Sequence, residues 1–128
     1  MGESISHQRF TDLQVWKQAR EFKIRVYEIK DQFPPEEKYS LTDQITRSVR
    51  SICSNISEGH GRFTYKDQLN FCVMSRGSLS ETLNHLIDAY DCKYISADTL
   101  KAMEQKYTDV EKLLNGYITY LRNSNNQK

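Results

Sequence analysis

Long apolar runs are the first thing missing from this chain. No stretch of about eighteen apolar residues occurs, which excludes a membrane-spanning helix, and no basic-then-apolar signal segment opens the sequence. A cytoplasmic protein is expected. Cysteine is scarce as well: Cys53, Cys72 and Cys92 are odd in number and form no Cys-x-x-Cys pair. That disfavours a disulfide or zinc framework and predicts free thiols buried on helices. Proline is confined to Pro34-Pro35. Excess charge of one sign is absent too, because 18 Lys and Arg face 17 Asp and Glu for a net +1. The strong basic field of a nonspecific nucleic-acid binder is therefore lacking, and any such role must come from a local patch. Neither strand-like alternation nor an internal repeat is found.

What is present suits one soluble helical domain. Of 128 residues, 38% are hydrophobic and 27% charged, enough for a single core that buries roughly two thirds of the unfolded surface. Met1-Gly2-Glu3-Ser4-Ile5-Ser6 has the form of a myristoylation signal, but one acyl chain without a polybasic neighbour anchors weakly, and a polar tail is the simpler reading. No membrane partner is expected.

Four helix-period segments follow. Asp12 is placed to cap a first helix reaching about Gln32, with Val15, Ala19, Phe22, Val26, Ile29 and Phe33 on one face. Leu13, Trp16, Ile24 and Tyr27 make a second apolar strip, which needs a second neighbour, either a wide core or another subunit. Phe33-Pro34-Pro35 ends that helix. Ser40-Leu41-Thr42-Asp43 is a capping-box pattern opening helix two. Its seam is Leu41, Ile45, Val49, Ile52 and Ile56, and beside it Gln44, Ser48, Ser51, Asn55 and Glu58 form a small-residue polar edge that invites close packing. Gly59 is the expected left-handed cap.

Thr64-Tyr65-Lys66-Asp67 opens a third helix to about Cys92, with Tyr65, Leu69, Cys72, Val73, Leu79, Leu83, Ile87 and Tyr90 as its stripe and Arg76 at the centre. Gly77, in a helix interior, costs ~1 kcal/mol against alanine and is expected only where a side chain would obstruct packing. Ser96 caps a fourth helix whose core face runs from Leu100 to Leu121. The predicted architecture is all-α, an up-down-up-down antiparallel four-helix bundle over 12–122, with flexible tails at 1–11 and 123–128.

Candidate chemistry is sparse. A guanidinium in a bundle core must find a carboxylate at its own height, which predicts an Arg76–Glu111 contact. No Glu-x-x-His spacing supports a di-metal site. Glu81 and His85 read as a solvated pair, and His7 and His60 lack two further ligands. No histidine is expected beside Cys53 or Cys72, and Gly59-His60-Gly61 is too short to cradle a phosphate. No cofactor, small-molecule substrate or catalytic activity is expected.

The basic candidates are Arg47 and Arg50 on the outer face of helix two, with Arg62 and Lys66 at the hairpin, where Phe63 and Tyr65 interleave with them. Residues 41–80 carry five basic and three acidic side chains, against four and seven in 81–121. Phosphate contact at one end of the bundle is one reading of that bias, and a solvated helix face is the other.

Two motifs carry a resemblance: Ser51-Ile52-Cys53-Ser54-Asn55-Ile56-Ser57-Glu58-Gly59, and Arg76-Gly77-Ser78-Leu79-Ser80-Glu81. With Phe10, Trp16 and Tyr94-Ile95, they make nearly the whole chain resemble the bacterial four-helix-bundle proteins of the 23S rRNA intervening-sequence family. The resemblance implies a bundle assembling into a homopentameric ring, and distant kinship with accessory proteins that bind a reverse transcriptase and RNA. Leu13, Trp16, Ile24, Tyr27, Ser48 and Ser51 are the expected subunit contacts. The expected role is a self-associating scaffold for RNA or a ribonucleoprotein, the alternative being direct RNA recognition through Arg47, Arg50, Arg62 and Lys66.

Overall fold

The computed structural model describes residues 8–126. The remainder of both expected tails, 1–7 and 127–128, lies outside the described residues, and with it His7 and the myristoylation-like segment. The helices are α1 (Gln14–Lys30), α2 (Leu41–His60), α3 (Tyr65–Asp91) and α4 (Ala97–Asn126), with short 3-10 turns at Phe10–Asp12 and Pro35–Glu37. Each helix packs on its sequence neighbours, α1 also packs on α4, and among the described residues the backbones of neither diagonal pair approach closely. Partner numbers fall on α3 as they rise on α2: Ser48 meets Thr82, Ser51 meets Ser78, and the Ile52 carbonyl meets Ser75. That is antiparallel pairing, and the closed order of contacts is that of an up-down-up-down bundle.

The caps differ from the sequence reading in instructive ways. Asp12 does not cap α1; its Oδ2 accepts the Arg9 amide at 3.2 Å and closes the preceding 3-10 turn, and α1 begins at Gln14. Ser40 makes no side-chain cap to α2. Glu37 does so from outside, its Oε1 accepting the Ser40 hydroxyl at 2.6 Å and the Leu41 amide at 3.1 Å, while Tyr94 Oη donates to Oε2 at 2.7 Å. One carboxylate thus ties the α1–α2 loop to the α3–α4 loop. Its hydrogen bond to Ser40, then those to Tyr94 and Leu41, lower the Glu37 pKa below its ordinary value near 4.5, and the same carboxylate pushes the Tyr94 phenol up to about 12. Thr64 caps α3 by accepting the Asp67 amide, and Ser96 caps α4 by accepting the Thr99 amide. The expected loose tail from Asn123 is helical to Asn126.

Gly59 is not a left-handed cap. Helix α2 runs through it to His60, and no described glycine has positive φ. A Cβ on Gly59 would stand 2.9 Å from Phe71 Cβ and 3.2 Å from the Gln68 carbonyl oxygen, so this residue is glycine because α3 crosses against its backbone. The small polar edge of α2 continues that close approach. Ser48 and Thr82 share a 2.8 Å hydrogen bond, Ser78 donates to Ser51 at 2.9 Å, and Ser75 donates to the Ile52 carbonyl at 2.8 Å. Ser48, Ser75 and Thr82 are buried, and no buried side-chain polar atom among the described residues lacks a partner.

The core face of α3 is therefore not the stripe expected from its apolar residues. Cys72, Ser75, Leu79, Thr82, His85, Leu86 and Ala89 point inward, while Val73, Ile87 and Tyr90 are exposed. Helix α1 follows expectation, with Val15, Ala19, Phe22, Val26 and Ile29 buried.

Candidate functional site

The predicted basic set does not form one free patch. Arg47 Nε is paired to Asp43 at 2.9 Å, and Arg62 Nη2 to Glu58 at 2.9 Å while its guanidinium also lies 4.7 Å from the Phe71 ring. Arg50 donates to Tyr27 Oη at 2.9 Å and lies over that ring. Lys66 alone of the four is exposed with no partner among the described residues. Arg47 and Arg50 stand at least twelve helical residues before Arg62, roughly 18 Å away at 1.5 Å per residue.

Arg76 corrects a second expectation. It is half-buried and donates to Asn115 Oδ1 at 3.1 Å, whereas Glu111 accepts from Tyr107 Oη at 3.0 Å. The partner is an amide one turn further along α4 in place of the expected carboxylate, because Arg76 sits at the α3–α4 rim, where solvent shares the burden of its charge. Glu81 and His85 pair at 3.2 Å, yet His85 is buried rather than solvated. Asn55 Nδ2 donates to both the carbonyl and the hydroxyl of Ser51 at 2.9 Å, locking the edge that meets α3.

The expected subunit contacts are largely used up within the chain. Leu13, Trp16 and Tyr27 pack against its own core, Ser48 is buried against Thr82, and Ser51 is half-buried against Ser78. Only Ile24 stays exposed, at 40%. The unclaimed surface lies on α3 instead. Between Asp67 and Asp88 its exposed residues are Asn70, Val73, Met74, Gly77, Ser80, Glu81, Asn84 and Ile87, and the one charge among them, Glu81, faces His85. Val73 is 40% and Met74 54% exposed, and a Cβ added to Gly77 would meet nothing within 4 Å. The expectation that Gly77 relieves crowding inside the chain is thus overturned. The exposed side of α4, by contrast, carries Lys101, Glu104, Asp109, Lys112 and Arg122, as a solvated helix face normally does.

Two hollows lie at the end of the bundle where α2 turns into α3. Gln8, Leu13, His60, Tyr65, Gln68, Tyr117 and Tyr120 line one of about 490 Å³. Leu13, Val15, Leu113, Gly116 and Tyr117 line a neighbouring groove of about 300 Å³. Tyr117 and Tyr120 stack with ring centres 6.1 Å apart and planes within 11°. Burial, then the neighbouring Cys72 and Tyr120, pushes the Tyr117 phenol up to about 12. Nothing in the sequence singled out this pair, since Tyr117 reads as ordinary core and Tyr120 as surface.

Reactive groups are few. Burial raises the thiol pKa of Cys53 and pushes that of Cys72 up to about 11, which leaves both as protonated packing residues. Cys92, expected to be buried, is exposed at the C-cap of α3. Among the described residues no group of three His, Cys, Asp or Glu side chains could hold a metal ion, and no helix is long and apolar enough to cross a membrane.

An all-α four-helix bundle is the class that these features define. The 23S rRNA-intervening sequence protein family model matches residues 11–116, and the chain belongs to that family. Among solved structures, the chain is similar to a protein of unknown function from the S23 ribosomal protein family of Bacteroides thetaiotaomicron, with a TM-score of 0.75 and 26% identity over 81% of this chain and 97% of that one. Comparison with curated proteins gives no match.

Proposed function

We propose that the protein is a non-enzymatic, self-associating bundle, working in the cytoplasm as a scaffold for RNA or a ribonucleoprotein, its copies closing into a ring of five, the number that the family resemblance implies. The observation that carries this reading is the outer face of α3, where exposed Val73 and Met74 flank Gly77 and charge is nearly absent. A glycine there costs the helix ~1 kcal/mol with no compensating contact inside the chain. A second copy lying against that face would supply one. Close approach of another backbone is what a bare glycine permits, and a symmetric ring would bury the same face in every subunit.

The family name supports an RNA connection. Direct recognition by Arg47, Arg50, Arg62 and Lys66 is the weaker form of it, because Arg47 and Arg62 already hold carboxylates. Sedimentation of wild type and Gly77→Arg tests the scaffold reading. Wild type should run as a multiple of the 15.1 kDa chain and the variant as a single folded chain. A variant that keeps the wild-type mass would overturn it.

A further inference from the structure

We infer that the hollow between His60, Gln68 and the stacked pair Tyr117–Tyr120 holds one unpaired base of an RNA strand. The inference rests on the RNA half of the proposed function and names where and how the strand is gripped. Its first support is the platform. The two tyrosine rings are nearly parallel, 11° apart, and Tyr120 is 56% exposed, so a third planar group can extend the stack. A volume of about 490 Å³ lies within the range of small-ligand sites.

The second support is the set of polar groups around that volume. His60 Nε2 lies 2.8 Å from the Gln8 carbonyl, which can only accept, so Nε2 carries the proton and Nδ1 of the neutral ring is an acceptor. Gln68 Nε2 donates to the Arg62 carbonyl at 3.0 Å, which fixes the amide and leaves its Oε1 as an acceptor. The hydroxyls of Tyr117 and Tyr120 hold no partner among the described residues, and Tyr117 stays protonated and able to donate across the physiological range. Donors and acceptors beside an aromatic plane are what the edge and face of an unstacked base require.

The third support is charge. Residues 8–20, 54–72 and 112–126, which make up this end of the bundle, carry seven basic and three acidic side chains, in a chain that holds 18 against 17 overall. Lys66, exposed and without a partner among the described residues, is next in sequence to Tyr65 in the lining. The strand's phosphates would therefore find their cations at the same end as the platform.

Fluorescence anisotropy with an eight-nucleotide single-stranded RNA, and with the same RNA annealed to its complement, tests this. Wild type should bind the single strand more tightly than the duplex. Tyr120→Ala should weaken single-strand binding about tenfold while Tyr120→Phe preserves it, because stacking needs the ring. Lys66→Ala should weaken both RNAs and lower the salt slope by about one. If the single strand binds but Tyr120→Ala leaves its affinity unchanged, the base pocket is overturned and the RNA reading survives. If wild type binds neither RNA at 50 mM salt, both are overturned and only the assembly reading is left.

Discussion

Replacing Gly59 by alanine should destabilise the protein, although alanine is the better helix former. The added methyl carbon would sit 2.9 Å from Phe71 Cβ and 3.2 Å from the Gln68 carbonyl oxygen. Both are fixed by the α3 backbone, so no rotamer change can relieve the clash and the helices must separate. Overpacking of this kind costs ~1–3 kcal/mol, and the propensity gain returns ~1 kcal/mol. The expected net loss is ~0–2 kcal/mol. Gly116 is the internal control, since a Cβ there meets nothing within 4 Å. Gly116→Ala should gain ~1 kcal/mol, the helix-propensity term alone. Urea unfolding at one fixed protein concentration reads the difference. With slopes of ~1–3 kcal/mol/M and a difference of ~1–3 kcal/mol, the two midpoints should move apart by ~0.3–3 M, Gly59→Ala downward and Gly116→Ala upward. Midpoints that move together would refute the close crossing of α2 and α3.

Three further outcomes follow from the same geometry. The Glu37 pKa is lowered by its hydrogen bonds, so its contribution is present above the ordinary value near 4.5 and is lost as pH falls through the folded value; the melting-temperature gap between wild type and Glu37→Gln should shrink on acidification from pH 6 to pH 3. Tyr94, raised to about 12, has the opposite sign. Its contribution is complete below its ordinary value near 10 and fades as pH rises toward 12, so a wild-type-minus-Tyr94→Phe comparison should narrow above pH 10. A thiol reagent should label Cys92 first, with Cys53 and Cys72 reacting only on unfolding, because those two are buried and resist ionisation; three equal rates would contradict the packing.

How much of this could be read from sequence varied by helix, for physical reasons. In α1 the inward residues are apolar and most of the outward ones polar, so Val15, Ala19, Phe22, Val26 and Ile29 declare the core face without ambiguity. In α3 the two are mixed. The helix packs so closely on α2 that its inward positions are filled by Ala89 and by Ser75 and Thr82, the last two with hydroxyls satisfied across the interface, while Val73 and Ile87 point out. A hydrophobic pattern then indicates the wrong face, and Arg76 looks central when it lies on the rim. Gly59 and Gly77 misled for the same reason: sequence shows that a glycine needs explaining but not which neighbour explains it. The cap from Glu37 escaped notice because its residue lies outside the helix and ties down two loops. The family was legible from its motifs. The tyrosine hollow was not, being assembled from α1, α2, α3 and α4 ends that are distant in the chain.

The claim that copies meet on the outer face of α3 can be tested on a single side chain. Met74 is 54% exposed in the isolated bundle and Met103 fully buried, so hydroxyl-radical footprinting carries its own reference in the same molecule. At concentrations where the protein runs as a multiple of one chain, Met74 should oxidise nearly as slowly as Met103, and Gly77→Arg should restore its reactivity. Rapid oxidation of wild-type Met74 at every concentration would contradict the account.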